Sequence, residues 1–182
     1  MKQSEVQKEL ERFRNYVIAE ARKNLTRSQK NVSKGLYESL KGNVKAMPNS
    51  LSIEFEMNQY GQFQDKGVKG ANPSLVKNGK QKAPNSKFSF KSKMPPVEPL
   101  SKWAQKKNIR FRNADGTFAK GGYKTLGFWL QKRIFAQGIK PSLFFTKPFE
   151  SAFKRLPNEL VEKFGLDAMN LFKETQFKNE KK

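Results

Sequence analysis

Apolar side chains at Val6, Leu10, Phe13, Val17, Ala21 and Leu25 recur every three or four residues, which puts them on one stripe of an amphipathic helix. Ser4 is its predicted N-cap, and the pattern fades at Thr26-Arg27-Ser28. A short helix is predicted over Ser33 to Leu40, stopped by Gly42. Val44-Lys45-Ala46 and the alternating run Leu51 to Met57 then read as the two strands of a hairpin, with Pro48-Asn49-Ser50 as the turn. Glu54 and Glu56 fall on the wet face of the second strand, which is a more economical reading than a paired-carboxylate site.

Residues 66–97 break the rhythm. They hold eight Lys, no acid, and Gly and Pro scattered throughout, with no period of 2 or 3.6 discerned, so residues 66–94 are expected to form a long basic loop or arm. Pro95-Pro96 opens a helix over Val97 to Lys107 with Leu100, Trp103 and Ala104 on one stripe. Asp115-Gly116 between Phe111 and Phe118 is a turn signal. Tyr123 to Gln137 reads as a nearly all-round apolar helix capped by Gly138. Residues 139–145 are expected to be extended. Phe149, Ala152, Phe153 and Leu156 begin a last helix, restarted after Pro157 and continued by Leu160, Phe164, Ala168, Leu171 and Phe172. A polar tail, 176–182, ends the chain. Phe144, Phe145 and Phe149 are expected to anchor that helix in the core.

Composition narrows the chemistry. The 182 residues contain no Cys and no His, which removes disulfides, thiolate metal sites and the commonest general base. The sixteen Phe are too many for a wholly disordered chain. The start lacks an apolar signal core and no run is long enough to span a membrane, so the expectation is a chain made and kept in a cytoplasm, without a membrane partner.

The net charge is +21, and its distribution matters more than its size. Residues 61–148 carry nineteen Lys and Arg against three acids, Asp65, Glu98 and Asp115, which is sixteen of the net charge. Such a field attracts polyanions or an acidic protein face. Lys predominates, which suits diffuse phosphate attraction better than bidentate base reading. The candidate contact residues, for DNA or a protein partner, are Lys66, Lys69, Lys77, Lys80, Lys82, Lys87, Lys91, Lys93, Arg110 and Arg112. The interleaved rings of Phe88, Phe90, Trp103, Phe111, Phe118 and Tyr123 are either stacking platforms for nucleic acid or core residues. The three central acids are isolated rather than grouped, so no catalytic residue, metal ligand or cofactor site is predicted, and the chain is read as a non-enzyme.

The order of motifs carries a resemblance. Tyr60-Gly61-Gln62-Phe63-Gln64-Asp65-Lys66-Gly67-Val68 resembles the Y-x-x-Y-x-E/D-x-G-T segment of the tail-completion, or head–tail joining, proteins of tailed bacteriophages. Met94-Pro95-Pro96-Val97 and the Trp103 helix follow, then Gly127 to Ile134, Gly138-Ile139-Lys140-Pro141, and Phe144-Phe145-Thr146-Lys147-Pro148-Phe149. The likeness spans about residues 1–175. The sequence departs from the family pattern at Val68, where Thr is frequent, and in the Lys-rich 69–93 insertion. The resemblance implies a single α+β domain over 1–175, with a small antiparallel sheet flanked by a long N-terminal helix and C-terminal helices. It also implies a homo-oligomeric ring, six- or twelvefold, in the virion, between portal-side and tail proteins and around the DNA channel. The competing expectation is a non-enzymatic DNA- or RNA-binding protein using the same basic stretch; another tail-proximal role, such as a tail terminator or minor capsid component, is a third.

Overall fold

A computed structural model describes residues 3–28, 32–47, 50–158 and 160. The chain is mixed α+β, and its order is α1 (Gln3–Arg27), α2 (Gly35–Ser39), β1 (Lys41–Met47), β2 (Ser50–Glu56), α3 (Tyr60–Lys66), β3 (Val68–Lys69), α4 (Pro73–Lys77), α5 (Val97–Lys106), α6 (Tyr123–Gln137), β4 (Gly138–Ile139) and α7 (Thr146–Phe153). These elements sort into two compact units: residues 1–61 with 143–182, and an inserted unit, 62–142.

In the first unit, the stripe predicted for α1 is the buried one. Val6, Leu10, Phe13, Val17, Ala21 and Leu25 are all buried, and the side chains between them are at least partly exposed. β1 and β2 pair antiparallel, with Val44 opposite Ile53 and Gly42 opposite Phe55. Ile53, Phe55 and Met57 turn inward and Glu56 outward, as the period of two requires. Four Phe rings close the core: Phe13 meets Phe149 edge-on at 5.4 Å between centroids, and Phe55 meets Phe145 at 5.2 Å. Edge-to-face pairs of this kind add stabilisation beyond their burial, and they hold α7 against the hairpin and α1. Phe144, Phe145 and Phe149 are thus core anchors.

Arg22 seals the end of α2. Its Nε and Nη2 donate to the carbonyls of Tyr37 and Leu40 at 3.1 and 2.9 Å, and its guanidinium lies over the Tyr37 ring. A cation at a helix C-terminus satisfies carbonyls that the helix itself leaves unpaired. Gly42 is not the stop for α2; it lies inside β1, where a Cβ would sit 2.6 Å from Arg14 Cγ. Its role is close approach between strand and helix. Ser4 lies within α1 rather than capping it. The Pro48-Asn49 turn, the Phe164 to Phe172 helix and the 176–182 tail lie outside the described residues.

In the inserted unit, α5 and α6 pack closely at Gly127, whose added Cβ would fall 2.1 Å from Ser101 Oγ. α6 ends at Gly138 (φ 83°), as the sequence predicts. Its surface is less uniformly buried than its composition implies: Leu126 is buried, but Phe128 and Trp129 are exposed. β4 stops at Ile139, so the expected extended run 139–145 is short, and Phe144-Phe145 form a turn instead.

The 66–94 segment is the long, mostly irregular basic connection that the sequence predicts, but it is an ordered one. It contains β3 and α4, and it is fastened to the end of α6 by backbone bonds from Ala71 to Phe135 (2.8 Å) and from Lys82 to Gln137 (2.9 Å). Gln81 is buried at its centre, accepting from the Gly70 amide at 2.8 Å and donating to the carbonyls of Gly70 (2.8 Å) and Asn72 (3.1 Å). A segment ordered by backbone bonds and one buried amide needs little apolar periodicity, which is why hydropathy alone reads it as a loop.

Candidate functional site

The ten predicted contact residues all fall in the inserted unit. This unit carries eighteen Lys and Arg against three acids, a balance of +15 out of the chain's +21. Each acid is engaged locally. Asp65 is buried beside Lys66, 3.9 Å away. Glu98 meets Lys102 at 2.6 Å, and the hydrogen bond and charge of that ammonium hold its carboxyl below the usual range. Asp115 accepts from the Thr117 hydroxyl at 2.7 Å and the Thr117 amide at 2.9 Å, which lowers its pKa likewise.

Among the described residues, no carboxylate pairs with Lys77, Lys80, Lys82, Lys91 or Lys93, and all five are exposed. No direct ion pair offsets their field, which salt confines to about 10 Å of the surface. Lys77 ends α4, and Lys80 and Lys82 flank the buried Gln81, so the buried amide fixes the backbone from which two exposed ammonium groups project. Lys69 lies in β3, and Lys87 sits over the Phe88 ring at 5.2 Å.

Arg110 and Arg112 belong to a different surface. The segment around the Asp115-Gly116 turn doubles back, with Arg112 bridged to Phe118 and Gly116 at φ 84°. Both guanidinium groups lie over the Phe118 ring, at 5.3 and 4.7 Å, and Arg110 also covers Tyr123 at 5.0 Å and donates to its hydroxyl. Nearby in sequence, Arg133 lies over Trp129 at 4.8 Å and Phe111 meets Trp129 edge-on. Phe118 and Trp129 remain exposed. Arg–aromatic layers of this kind can stack on bases, although here each ring already has a cation on it. Arg133 and Trp129 were not among the predicted contacts; their i, i+4 spacing on α6 was the available signal.

A third feature went unpredicted. Phe63, Phe88, Phe90, Met94, Leu100 and Ile134 help to line an apolar cleft of about 580 Å³, with Lys91 and Lys93 also on its wall. Phe63 and Phe88 meet edge-on at 4.9 Å. Its signal was present: Lys87-Phe88-Ser89-Phe90-Lys91 alternates polar and apolar, and the structure bridges Ser89 to Lys69.

Among the described residues, no group of three or more carboxylates is placed to hold a metal, and no helix is long and apolar enough to cross a membrane. Comparison with known proteins finds no matching family model, no matching curated relative and no matching solved structure.

Proposed function

We propose that the chain is a structural protein of a tailed-bacteriophage particle, from the head–tail joining region. In this reading it forms a ring between portal-side and tail proteins, and the inserted unit presents its positive charge to a neighbouring subunit or to DNA in the channel. One observation carries the proposal. The segments that bear the family resemblance are far apart in sequence yet build one knot: Val68 pairs with Ile139, Ser142 Oγ donates to the Gln64 carbonyl at 2.6 Å, and a Cβ at Gly67 would meet the Ile139 carbonyl at 2.6 Å. Tyr60 to Val68 and Gly138 to Pro141 are therefore parts of one device that closes the base of the basic unit, as ordered motifs of a common fold would be.

The test is particle composition. Purified particles made by the genome that encodes the chain should contain it at a fixed copy number on the axis, and a nonsense mutation should leave filled heads and separate tails. Complete infectious particles without the chain would overturn the proposal.

The Arg110–Phe118–Tyr123 layer favours a second reading, a nucleic-acid-binding protein that acts on its own. That reading requires tight binding by isolated protein, with log affinity falling against log salt at a slope of about −5 for some six phosphate contacts. Weak binding with a shallow slope excludes it.

A further inference from the structure

The inserted unit also has an open sheet edge. β3 pairs with β4 on one side and with Phe88-Ser89-Phe90 on the other, giving a ribbon ordered β4, β3, 88–90. The Lys69 amide donates to the Phe88 carbonyl at 2.8 Å, and the Phe90 amide donates to the Lys69 carbonyl at 2.9 Å. Because successive residues of a strand point their backbone groups to opposite sides, the amide and carbonyl of Ser89 face away from β3. Among the described residues, nothing takes either group.

Two further observations say what fits there. Phe88 and Phe90, the residues on either side of Ser89, line the apolar cleft with Phe63 and Met94, and these last two are 38% and 42% exposed. Lys87 and Lys91 bracket the strand, and Lys93 follows on the cleft wall. Open edges invite pairing, and lysines on them repel a like-charged strand. The same Lys-flanked strand of a second copy is repelled at this edge. A strand with acidic residues and alternate apolar side chains is attracted.

We propose that this edge and cleft form a docking site for an extended, acidic segment of another protein. The segment adds as a strand along Ser89, exchanging backbone hydrogen bonds with its amide and carbonyl, and places alternate apolar side chains in the cleft beside Met94. The lysines supply the sign of the partner. This inference does not depend on the chain being a particle component, and its test uses the isolated full chain.

The probe is a pool of short fluorescein-labelled peptides in which valine, isoleucine or phenylalanine alternates with threonine between aspartate-rich ends. Binding is followed by fluorescence anisotropy. The pool should bind, and binding should weaken as salt rises. N-methylating the peptide amides that face the strand should weaken binding about tenfold, the loss of about one hydrogen bond. Ser89→Pro removes the outward amide, along with the side-chain hydroxyl, and leaves both bonds to Lys69 in place, so it should weaken binding about tenfold as well. Met94→Asp should weaken it through the cleft. In amide NMR spectra of wild-type protein, the Ser89 signal should shift and its exchange should slow. No binding by the pool, or equal affinity for the N-methylated peptides, overturns the proposal, and neither result depends on a variant folding. If a thymidine oligonucleotide displaces the peptides equally from wild type and Ser89→Pro, the lysines act as a general polyanion surface and strand addition is refuted.

Discussion

Gln81 is the residue on which the inserted unit is most exposed to attack. It is buried, and its amide makes three good hydrogen bonds, two to Gly70 and one to Asn72, with the Ala136 carbonyl a further 3.5 Å contact. Gln81→Leu keeps the volume and removes all three. At roughly 0.5–1.5 kcal/mol each, with the Gly70 amide left buried, the loss is about 2–4 kcal/mol. The Asn72 carbonyl also accepts from the Leu75 amide at 3.3 Å, so the Gly70 amide and carbonyl are the groups that Gln81→Leu strands. The assay is urea unfolding followed by tryptophan fluorescence. Trp103 and Trp129 are the chain's two Trp and both lie in 62–142, so they report the inserted unit alone. With a urea slope of about 1 kcal/mol/M for a unit of this size, the midpoint should fall by about 2 M or more. Gln81→Glu should be worse at neutral pH than in acid, since the carboxylate faces two carbonyls and can donate to them only when protonated. A Gln81→Leu midpoint within about 0.5 M of wild type would show that the amide does not organise the segment.

Gly127→Ala should destabilise the α5–α6 pair by about 1–3 kcal/mol, since the new methyl meets Ser101 Oγ, and Ser101→Gly should restore part of the loss in a double-mutant cycle. Independent, additive effects would refute the contact. Phe149→Ala, which removes a ring packed against Phe13, Phe55 and Phe145, should cost about 3–5 kcal/mol, measured by circular dichroism during denaturation. The depressed pKa of Asp115 means that its bonds to Thr117 stabilise the turn above the ordinary aspartate value of 3.8 and are lost as pH falls through the lower folded value. Thr117→Val should move the Asp115 carboxyl titration back towards the ordinary value by NMR; an unmoved titration would contradict this cause.

Where burial follows from spacing, the sequence was legible. The α1 stripe, the β2 alternation and the Gly138 cap each have a local cause, namely 3.6-residue periodicity, two-residue periodicity and a positive φ. The order of the 66–94 segment was opaque because it comes from backbone bonds to α6 and from one polar side chain, neither of which leaves a hydropathy pattern. The candidate site was half legible. Charge located the basic unit, since like charges add whatever the fold. The cleft needed tertiary placement, because Phe63, Phe88 and Ile134 come from three separate stretches. Phe88 and Phe90 were visible as a two-residue alternation, but so short a run is easily lost among glycines, prolines and lysines.

Splitting the first unit across both ends of the chain also has a consequence in time. Asn24 donates to the carbonyl of Phe144, 120 positions later. The hairpin with Phe55 reaches α1 soon after its synthesis, but at a ribosomal rate of roughly 5–20 residues per second Phe144, Phe145 and Phe149 follow only about 6–24 s later. Meanwhile residues 62–142 have everything needed to complete their own internal contacts. The newborn chain therefore holds a half-covered first core while the basic lobe can already close, an interval in which a holding chaperone has a reason to intervene.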